Sequence, residues 1–466
     1  MYRIFGHYVP KTMFLFGLLE ALVLLVSVHL ALLIGLQTNF FDFSIKASYA
    51  NLPLNTALFI GTIQVAMFAM GLYSRDLRDR PGLVILRIAL SFALGLLILK
   101  TIDSLFHLSL LQLDMQLVAL SCSFLGIISS RLVFYKHTED ALKHKTLILG
   151  TGEKAQHLQR LRRRTDSFGV EIMGYVDINE HKDCYIAQEN LVEMTGSLSQ
   201  YVKENDIREI VVAVDDRRSN IPHDELLECK MLGVNVIDIT SYLERQLGKI
   251  MLDTFRPSSF VYSDGFSQAL ILRYKRALDV VVSCSMLVCT APIMLATIIA
   301  IKLESGGRGS VFYRQVRVGV GGKNFSIIKF RSMSEDAEKD GKAVWASKND
   351  ARVTRVGEFI RKTRIDELPQ LFNVLRGDMS LVGPRPERPE IVSNLAKEIQ
   401  FYSLRHHVKP GITGWAQICY PYGANLEDAK QKLQFDLYYL KNYSFFLDLV
   451  VLLQTVTVIL WGKGAR

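Results

Sequence analysis

The chain has 466 residues, enough for two or three domains with ample material for buried cores. Its residues are 49% apolar while 22% are charged, which excludes a disordered chain or a disulfide-stapled miniature and points to membrane segments joined to soluble domains. The formal charge of +9 calls for an anionic partner (nucleic acid, a phospholipid surface or a phosphorylated substrate), and the six scattered cysteines hold no Cys-x-x-Cys pair, so neither a disulfide framework nor a zinc site is expected.

Four apolar stretches, about residues 12–36, 53–73, 83–106 and 109–134, each approach the ~20 residues that a spanning helix needs. They predict an α-helical transmembrane bundle over residues 1–137. The repeated hydrophobic block and the lack of a small-residue cleavage site argue against a cleavable signal peptide. Arg75, Arg78 and Arg80 lie between the second and third stretches, and Lys136, Lys143 and Lys145 follow the fourth. The other connections carry Lys46 in one case and Asp103, His107 and Asp114 in the other. By the positive-inside rule both ends of the bundle face the cytoplasm.

From Lys145 short β-branched runs alternate with polar, helix-like stretches. Residues 146–149, 172–176, 210–214 and 234–237 read as strands of a parallel sheet, so an α/β Rossmann-like cytoplasmic domain is expected over 143–250. The first strand enters Gly150-Thr151-Gly152-Glu153-Lys154-Ala155, and Asp177 follows the second. Gly150, Gly152 and Asp177 are the candidate cofactor-binding residues, the glycines for a nucleotide phosphate and the acid for a ribose. A tight glycine turn serves close strand-to-helix packing equally well with no nucleotide bound.

A fifth apolar stretch, about 277–301, has Pro292 in its middle, where the ring removes a backbone bond and kinks a helix. Lys275 and Arg276 precede it, and Lys302 and Arg308 follow it. A crossing would put one cationic flank on the wrong side. A re-entrant membrane helix over about 276–304, bent at Pro292, keeps both flanks on one face. Asp279 at that depth needs a partner, with Arg276 or a cation further along the chain as candidates. Near the C-terminus, Phe445 to Trp461 is apolar and is followed by Lys463 and Arg466, which reads as an interfacial helix, with a spanning one as the alternative.

Two further segments set cations beside apolar residues: Phe312-Tyr313-Arg314-Gln315-Val316-Arg317, and Phe325 to Met333 with Lys329 and Arg331. That pattern suits a phosphorylated ligand at a membrane surface, and equally an amphipathic strand with a solvated basic face. Gly383-Pro384-Arg385-Pro386 fixes Arg385 between two φ-locked residues. Asp366 and Glu367 follow Arg361 and Arg364 and open the apolar run Leu368, Leu371, Phe372, Leu375, whose spacing is helical. The pair is therefore expected at a helix N-terminus, where it acts either as a cap or as a nucleophile beside a metal-binding carboxylate.

Lys275-Arg276-x-x-Asp279, the Pro-broken helix, Lys329-Phe330-Arg331-Ser332-Met333, Asp366-Glu367-Leu368-Pro369-Gln370-Leu371, Gly377 to Pro386 and Lys409-Pro410-Gly411-Ile412-Thr413-Gly414-Trp415-Ala416-Gln417 occur in that order. Together they resemble the bacterial sugar transferase family, the monotopic polyprenyl-phosphate phosphoglycosyl transferases, over residues 270–466. The preceding bundle and Rossmann-like domain resemble the long form of that family, which includes undecaprenyl-phosphate glucose and galactose phosphotransferases. The resemblance implies a multidomain membrane protein with an α+β catalytic domain in the bacterial inner membrane, both soluble domains being cytoplasmic. It implies transfer of a sugar 1-phosphate from a UDP-sugar to polyprenyl phosphate, with UMP released, as a first membrane step of exopolysaccharide or O-antigen assembly. Asp366 would attack phosphorus, Glu367 would hold Mg²⁺, and Arg361 matches a family active-site arginine. Pro384, Arg385 and Pro386 match the nucleotide-binding segment, and Lys329 and Arg331 are candidates for phosphate contacts. The partners so implied are the UDP-sugar, polyprenyl phosphate and the phospholipid membrane; a homo-oligomer is compatible with this and no nucleic acid is expected. Ala291 stands where some family members place a serine before the proline. The Rossmann-like domain leaves two other functions in play. One is an NAD-dependent nucleotide-sugar-modifying enzyme, weakened because no Tyr has a Lys four residues later; the other is a non-catalytic, nucleotide-sensing regulator of polysaccharide assembly.

Overall fold

The structure, a computed structural model, describes residues 1–38, 52–73, 81–106, 113–137, 143–159, 169–178, 184–194, 196–215, 221–253, 269–334, 352–421, 423 and 425–461. Lys46, Arg75, Arg78, Arg80, His107, Lys463 and Arg466, which entered the topology argument, lie outside the described residues. The chain forms two compact units: Met1–Arg3 with Tyr8–Phe255, and Ile4–His7 with Arg256–Arg466.

Two short N-terminal strands, β1 (Tyr2–Ile4) and β2 (His7–Val9), precede the four helices of the first unit, α1 (Lys11–Thr38), α2 (Leu52–Ala69), α3 (Pro81–Phe106) and α4 (Leu113–His137). All four are long and apolar enough to cross a membrane. Leu24, Phe59, Ile63, Met67, Ile88 and Ile127 fill the interior, while Leu18, Leu22, Leu97 and Leu125 stand exposed outside. A helix that is apolar on every side needs lipid against its outer face, so this is a membrane protein. A Cβ on Gly95 would lie 2.4 Å from Ile63 Cδ1, so the missing side chain lets α2 and α3 approach closely. The buried charged groups inside the bundle, Glu20, Arg87 and Arg131, are paired. Glu20 accepts from Arg131 Nε at 2.8 Å and from the Tyr73 hydroxyl at 2.5 Å. Arg131 also donates to the Leu72 carbonyl at 3.2 Å, and Arg87 donates to the Met70 carbonyl at 2.9 Å. Carbonyls left free where α2 ends thus find buried guanidinium donors.

The α/β part of this unit has four parallel strands, β3 (His144–Leu149), β4 (Val170–Val176), β5 (Glu209–Val212) and β6 (Asn235–Asp238), in the order β4-β3-β5-β6. Each β-branched run of the sequence yields one strand. Both faces are covered, one by Leu147, Leu149, Leu198 and Ile210 and the other by Ile148, Val211, Ile239 and Leu243, which is why the runs do not alternate. Helices α5 (Glu153–Gln159), α6 (Leu198–Glu204), α7 (His223–Met231) and α8 (Ile239–Leu247) complete it. Strand β5 begins one residue earlier than the sequence suggests, at Glu209, whose buried carboxylate accepts from Arg245 Nη1 at 2.7 Å and Asn235 Nδ2 at 2.6 Å. Burial works against ionisation of Glu209, but His144, Arg245 and Asn235 outweigh it and hold its carboxyl down at about 2.

The second unit contains α9 (Ala269–Glu304), the antiparallel strands β7 (Phe312–Val318) and β8 (Asn324–Phe330), α10 (Arg355–Lys362), α11 (Gln370–Arg376), β9 (Ser380–Val382), α12 (Pro389–Glu398), β10 (Gly411–Thr413), α13 (Trp415–Cys419), α14 (Leu426–Lys441) and α15 (Phe445–Trp461). Strands β9 and β10 are parallel. Helix α9 exposes Val281, Val288, Leu295 and Leu303 and is a fifth helix long and apolar enough to cross a membrane. It stays helical through Pro292, which deprives the Val288 carbonyl of its partner. Ala291 has no hydroxyl, but Ser285, Thr290 and Thr297 bond back to the carbonyls of Val281, Met286 and Ile293 at 2.7–2.9 Å, the kind of bond that bends helices.

Both ends of α9 are fastened within this unit. Near its start, Lys275 donates to Asp448 at 2.6 Å and to the Val382 carbonyl at 3.0 Å. Near its end, Glu304 accepts from the Arg355 N–H at 2.8 Å and Ile301 packs with Phe330 and Ile360. Asp279 is buried and accepts from the Ser380 hydroxyl and the Leu381 N–H, both at 3.1 Å. Arg276, one of the candidate partners of Asp279, does not bond to it. That guanidinium is drawn to the free carbonyls at the C-terminus of α11, Val374 at 2.5 Å and Leu375 at 2.6 Å, the negative end of that helix.

Candidate active site

Asp366 and Glu367 occupy a 3₁₀ turn, Ile365–Glu367, immediately before α11. They are not in the first turn of that helix, as the spacing of Leu368, Leu371 and Leu375 suggests. Pro369 is the reason: it has no N–H to give the Ile365 carbonyl, which is taken instead by Leu368 N–H at 3.1 Å, so helical bonding restarts beyond it. Neither carboxylate is a cap. The residue capping the 3₁₀ turn is Arg364, at φ 60° and ψ 15°, the one capping α11 is Pro369, and neither end has a side-chain cap bond. Placing a non-glycine residue in the left-handed region costs about 1 kcal/mol, a strain of the kind found at functional sites.

The two carboxyls differ in environment. Glu367 Oε1 accepts from Lys329 Nζ at 2.9 Å and Arg385 Nη2 at 3.3 Å, with Arg364 Nη1 at 3.9 Å. Burial opposes its charge, but Lys329, Arg385 and Arg364 prevail and hold the carboxyl well below the usual range. Asp366 is buried, and its Oδ1 has no hydrogen-bond partner. Burial first, and the neighbouring Glu367 second, push it up to about 6 against the pull of Lys329, Arg364 and Arg361. A helix N-terminus would favour both carboxylates as anions; the fold instead makes one stable anion and one group poised near neutrality.

Each cation acts on the dyad from a different element, Arg361 through its charge alone. Lys329 comes from β8, Arg361 from the last turn of α10, Arg364 from the strained residue and Arg385 from the turn after β9. Arg331, just past β8, donates to the Arg308 carbonyl at 3.4 Å. The Pro384–Pro386 turn is held through its carbonyls, each accepting from a different partner: Pro384 from Gly411 N–H at 3.0 Å, Arg385 from Arg405 Nη2 at 3.0 Å and Pro386 from Arg317 Nη1 at 3.1 Å. The β9 and β10 ends approach so closely that a Cβ on Gly411 would meet Gly383 N at 2.1 Å. Asn373 joins α11 to β8, accepting from Ile328 N–H at 3.0 Å and donating to the Ser326 carbonyl at 2.8 Å. Its signal in the sequence is a lone amide inside the apolar run 371–375.

Arg405 gave no such signal, because its partner lies 31 residues away: its Nε donates to Asp436 at 3.0 Å, and Nη1 donates to the Tyr402 hydroxyl at 2.8 Å. Both charged side chains are buried. Arg405→Ala strands the Asp436 carboxylate, with an expected loss of about 3–5 kcal/mol in stability. Arg405→Lys, which keeps a cation there, should lose less than half of that; thermal unfolding of the two purified variants beside the parent checks it.

Among the described residues no group of three His, Cys, Asp or Glu could hold a metal ion. The dyad itself offers hard carboxylate oxygens, including the unpartnered Asp366 Oδ1. That set suits a cation that takes one or two protein carboxylates and completes its shell with water and substrate phosphates.

Residues 270–462 match the family model described as bacterial sugar transferase. The chain is 43% identical over 241 residues to a UDP-N-acetylgalactosamine-undecaprenyl-phosphate N-acetylgalactosaminephosphotransferase of Aeromonas hydrophila, covering 52% of this chain and 56% of that protein. It is 30% identical over 335 residues to a UDP-glucose:undecaprenyl-phosphate glucose-1-phosphate transferase of Xanthomonas campestris, covering 69% of this chain and 67% of the relative. An uncharacterized sugar transferase of Bacillus subtilis is 43% identical over 192 residues, 41% of this chain and 90% of that shorter protein. The chain thus spans about half the length of the Aeromonas relative and nearly all of the Bacillus one. With the dyad, its four cations and the clamped Pro-Arg-Pro turn all inside the matched region, the chain belongs to the bacterial sugar transferase family.

Proposed function

We propose that this protein transfers a sugar 1-phosphate from a UDP-sugar to undecaprenyl phosphate, in two steps, through Asp366. The observation that carries this reading is the asymmetry of the dyad. Asp366 has a buried, unpartnered oxygen, while Glu367 beside it is fixed as an anion by Lys329, Arg385 and Arg364. In the first step an Asp366 oxygen forms a bond to the β-phosphorus. The bond from that phosphorus to the bridging oxygen breaks, and UMP leaves with the electron pair. In the second step a phosphate oxygen of the lipid attacks the same phosphorus and the Asp366 carboxylate departs. A carboxylate nucleophile thereby divides one slow phosphoryl transfer into two faster ones. Lys329, Arg361, Arg364 and Arg385 supply positive charge for the phosphate oxygens, and the clamped turn keeps Arg385 in place for the nucleotide. Glu367 would hold Mg²⁺, which when bound neutralises charge on the phosphoryl oxygens.

Helix α9 supports a re-entrant rather than a spanning course. Its 36 residues would extend about 54 Å if straight, yet Arg276 is tied to α11 while Ile301 packs on Ile360, only five residues before the turn that leads into that same helix. Its exposed apolar residues then enter the bilayer from the cytoplasmic side, where Lys275, Arg276 and Lys302 remain. Helix α15, 17 residues with a buried Asp448 near its start, fits an interfacial position better than a crossing of a core ~30 Å thick.

The test is UMP release from a panel of UDP-sugars, glucose and N-acetylgalactosamine included, with and without undecaprenyl phosphate. A burst of one UMP per enzyme without acceptor, and sustained turnover with it, is the expected result. Strict dependence of the first UMP on the acceptor would rule out the two-step route.

A further inference from the structure

We infer that the glycine turn of the Rossmann-like domain is already filled by the chain's own anion, the Asp215 carboxylate, and does not take a dinucleotide. In a dinucleotide-binding βαβ unit the glycine turn and the following helix present N–H groups to a pyrophosphate. Here the corresponding N–H groups, those of Glu153 and Lys154, donate to Asp215 Oδ2 at 2.7 Å and Oδ1 at 3.0 Å. The middle glycine of the pattern serves this carboxylate: a Cβ on Gly152 would lie 1.9 Å from Asp215 Oδ2. Lys154 secures the arrangement from below, its Nζ donating to the carbonyls of Val214 at 2.9 Å and Asp215 at 3.2 Å.

The neighbouring subsites are also engaged by protein. Thr151 Oγ1 donates to Asp177 Oδ1 at 3.2 Å, so the acid that would face a ribose is bonded to the turn itself. The Tyr185 N–H donates to the Thr151 carbonyl at 2.9 Å, laying the following segment over the same turn, with Ile186 sunk into the core beside it. A pyrophosphate entering here would have to displace a carboxylate from its donors and then lie against that negative charge. Gly150, Gly152 and Asp177 are thus explained as a self-capped turn that closes the carboxyl ends of β3 and β5. The geometry argues against an NAD-dependent reaction in this domain, and against sensing of a dinucleotide at this turn.

The experiment uses the full-length purified protein and reads binding rather than transfer, so its outcome is independent of the transferase proposal. NADH fluorescence and NAD⁺ calorimetry are expected to show no saturable binding up to about 1 mM. Saturable binding at micromolar concentration would overturn the inference. Inorganic phosphate, the second probe, should leave the unfolding temperature of the parent unchanged at constant ionic strength and raise that of Asp215→Ala, in which the donors are released. If that variant does not fold, Asp215→Gly, which also releases both donors, decides on the same readout. Equal phosphate effects on parent and variant would show that Asp215 is not the anion that fills the turn.

Discussion

Asp366→Asn is expected to abolish sugar-phosphate transfer and, at the same time, to make the protein harder to unfold. Removing a nucleophile from a covalent mechanism costs a factor of about 10⁴ or more in turnover. The stability effect follows from the raised carboxyl. Its value in the fold is about 6, from an ordinary 3.8, because burial disfavours its charge and Glu367 adds repulsion. An acid raised by folding is more comfortable protonated. The folded state therefore loses stability as pH climbs from 3.8 through 6, and above pH 6 the whole penalty is present. Two pH units correspond to about 3 kcal/mol, an upper figure. Asparagine removes the charge and keeps the shape but still buries a polar group, so a net gain of about 1–2 kcal/mol, or roughly 2–8 °C, is expected at pH 7.5. The gain should vanish near pH 4. In the parent enzyme the first-step rate should fall about tenfold per unit below pH 6, as the nucleophile protonates. Full turnover in the variant would defeat the catalytic assignment. A variant that is inactive and also less stable would make Asp366 a structural residue instead.

Much of this architecture is legible in the sequence because it rests on local rules. Four long apolar blocks can hardly be anything but lipid-facing helices, and β-branched runs without alternation mean a sheet covered on both faces. The order of the basic and Pro-Arg-Pro segments carries the family resemblance. What the sequence hides is whatever depends on pairing across distance. Arg276 and Asp279 lie one turn apart and look like an ion pair, yet the structure sends one to the α11 carbonyls and the other to Ser380 and Leu381. Arg405 and Asp436 look unrelated and form a buried pair beneath the Arg385 turn. The glycine pattern at 150–155 is read correctly as a tight turn, but its occupant, Asp215, lies 62 residues from the N–H it caps. Asp366 and Glu367 illustrate the limit most clearly. Adjacent and alike in sequence, they part company only because Pro369 breaks the helix, Arg364 turns left-handed, and three cations converge on one carboxylate and not the other.

Glu367→Gln should therefore act in the opposite thermal direction to its neighbour. The Glu367 carboxyl is depressed by folding, so its contribution to stability is complete above its ordinary value of 4.5 and is lost only as pH falls through the much lower folded value. At neutral pH all of it is present. The amide would take from Lys329, Arg385 and Arg364 the carboxylate on which they converge, Lys329 being less than one-fifth and Arg385 about one-third exposed. A loss of about 2–4 kcal/mol is expected. Turnover should fall by about 10³, since the group that aligns these cations and would hold Mg²⁺ is gone. The parent should lose transfer on chelation and regain it with added Mg²⁺, whereas the variant should respond weakly to the metal at any concentration. Thermal unfolding separates the two residues where activity cannot, for both variants are inactive but only Glu367→Gln is destabilised. A shift of the same sign in both would mean that the dyad acts as one structural unit, and the division of labour between nucleophile and anchoring anion would fail. Lys329→Met completes the contrast. It removes the nearest counter-charge at 2.9 Å and should raise both carboxyls, moving the acid limb of the rate profile to higher pH.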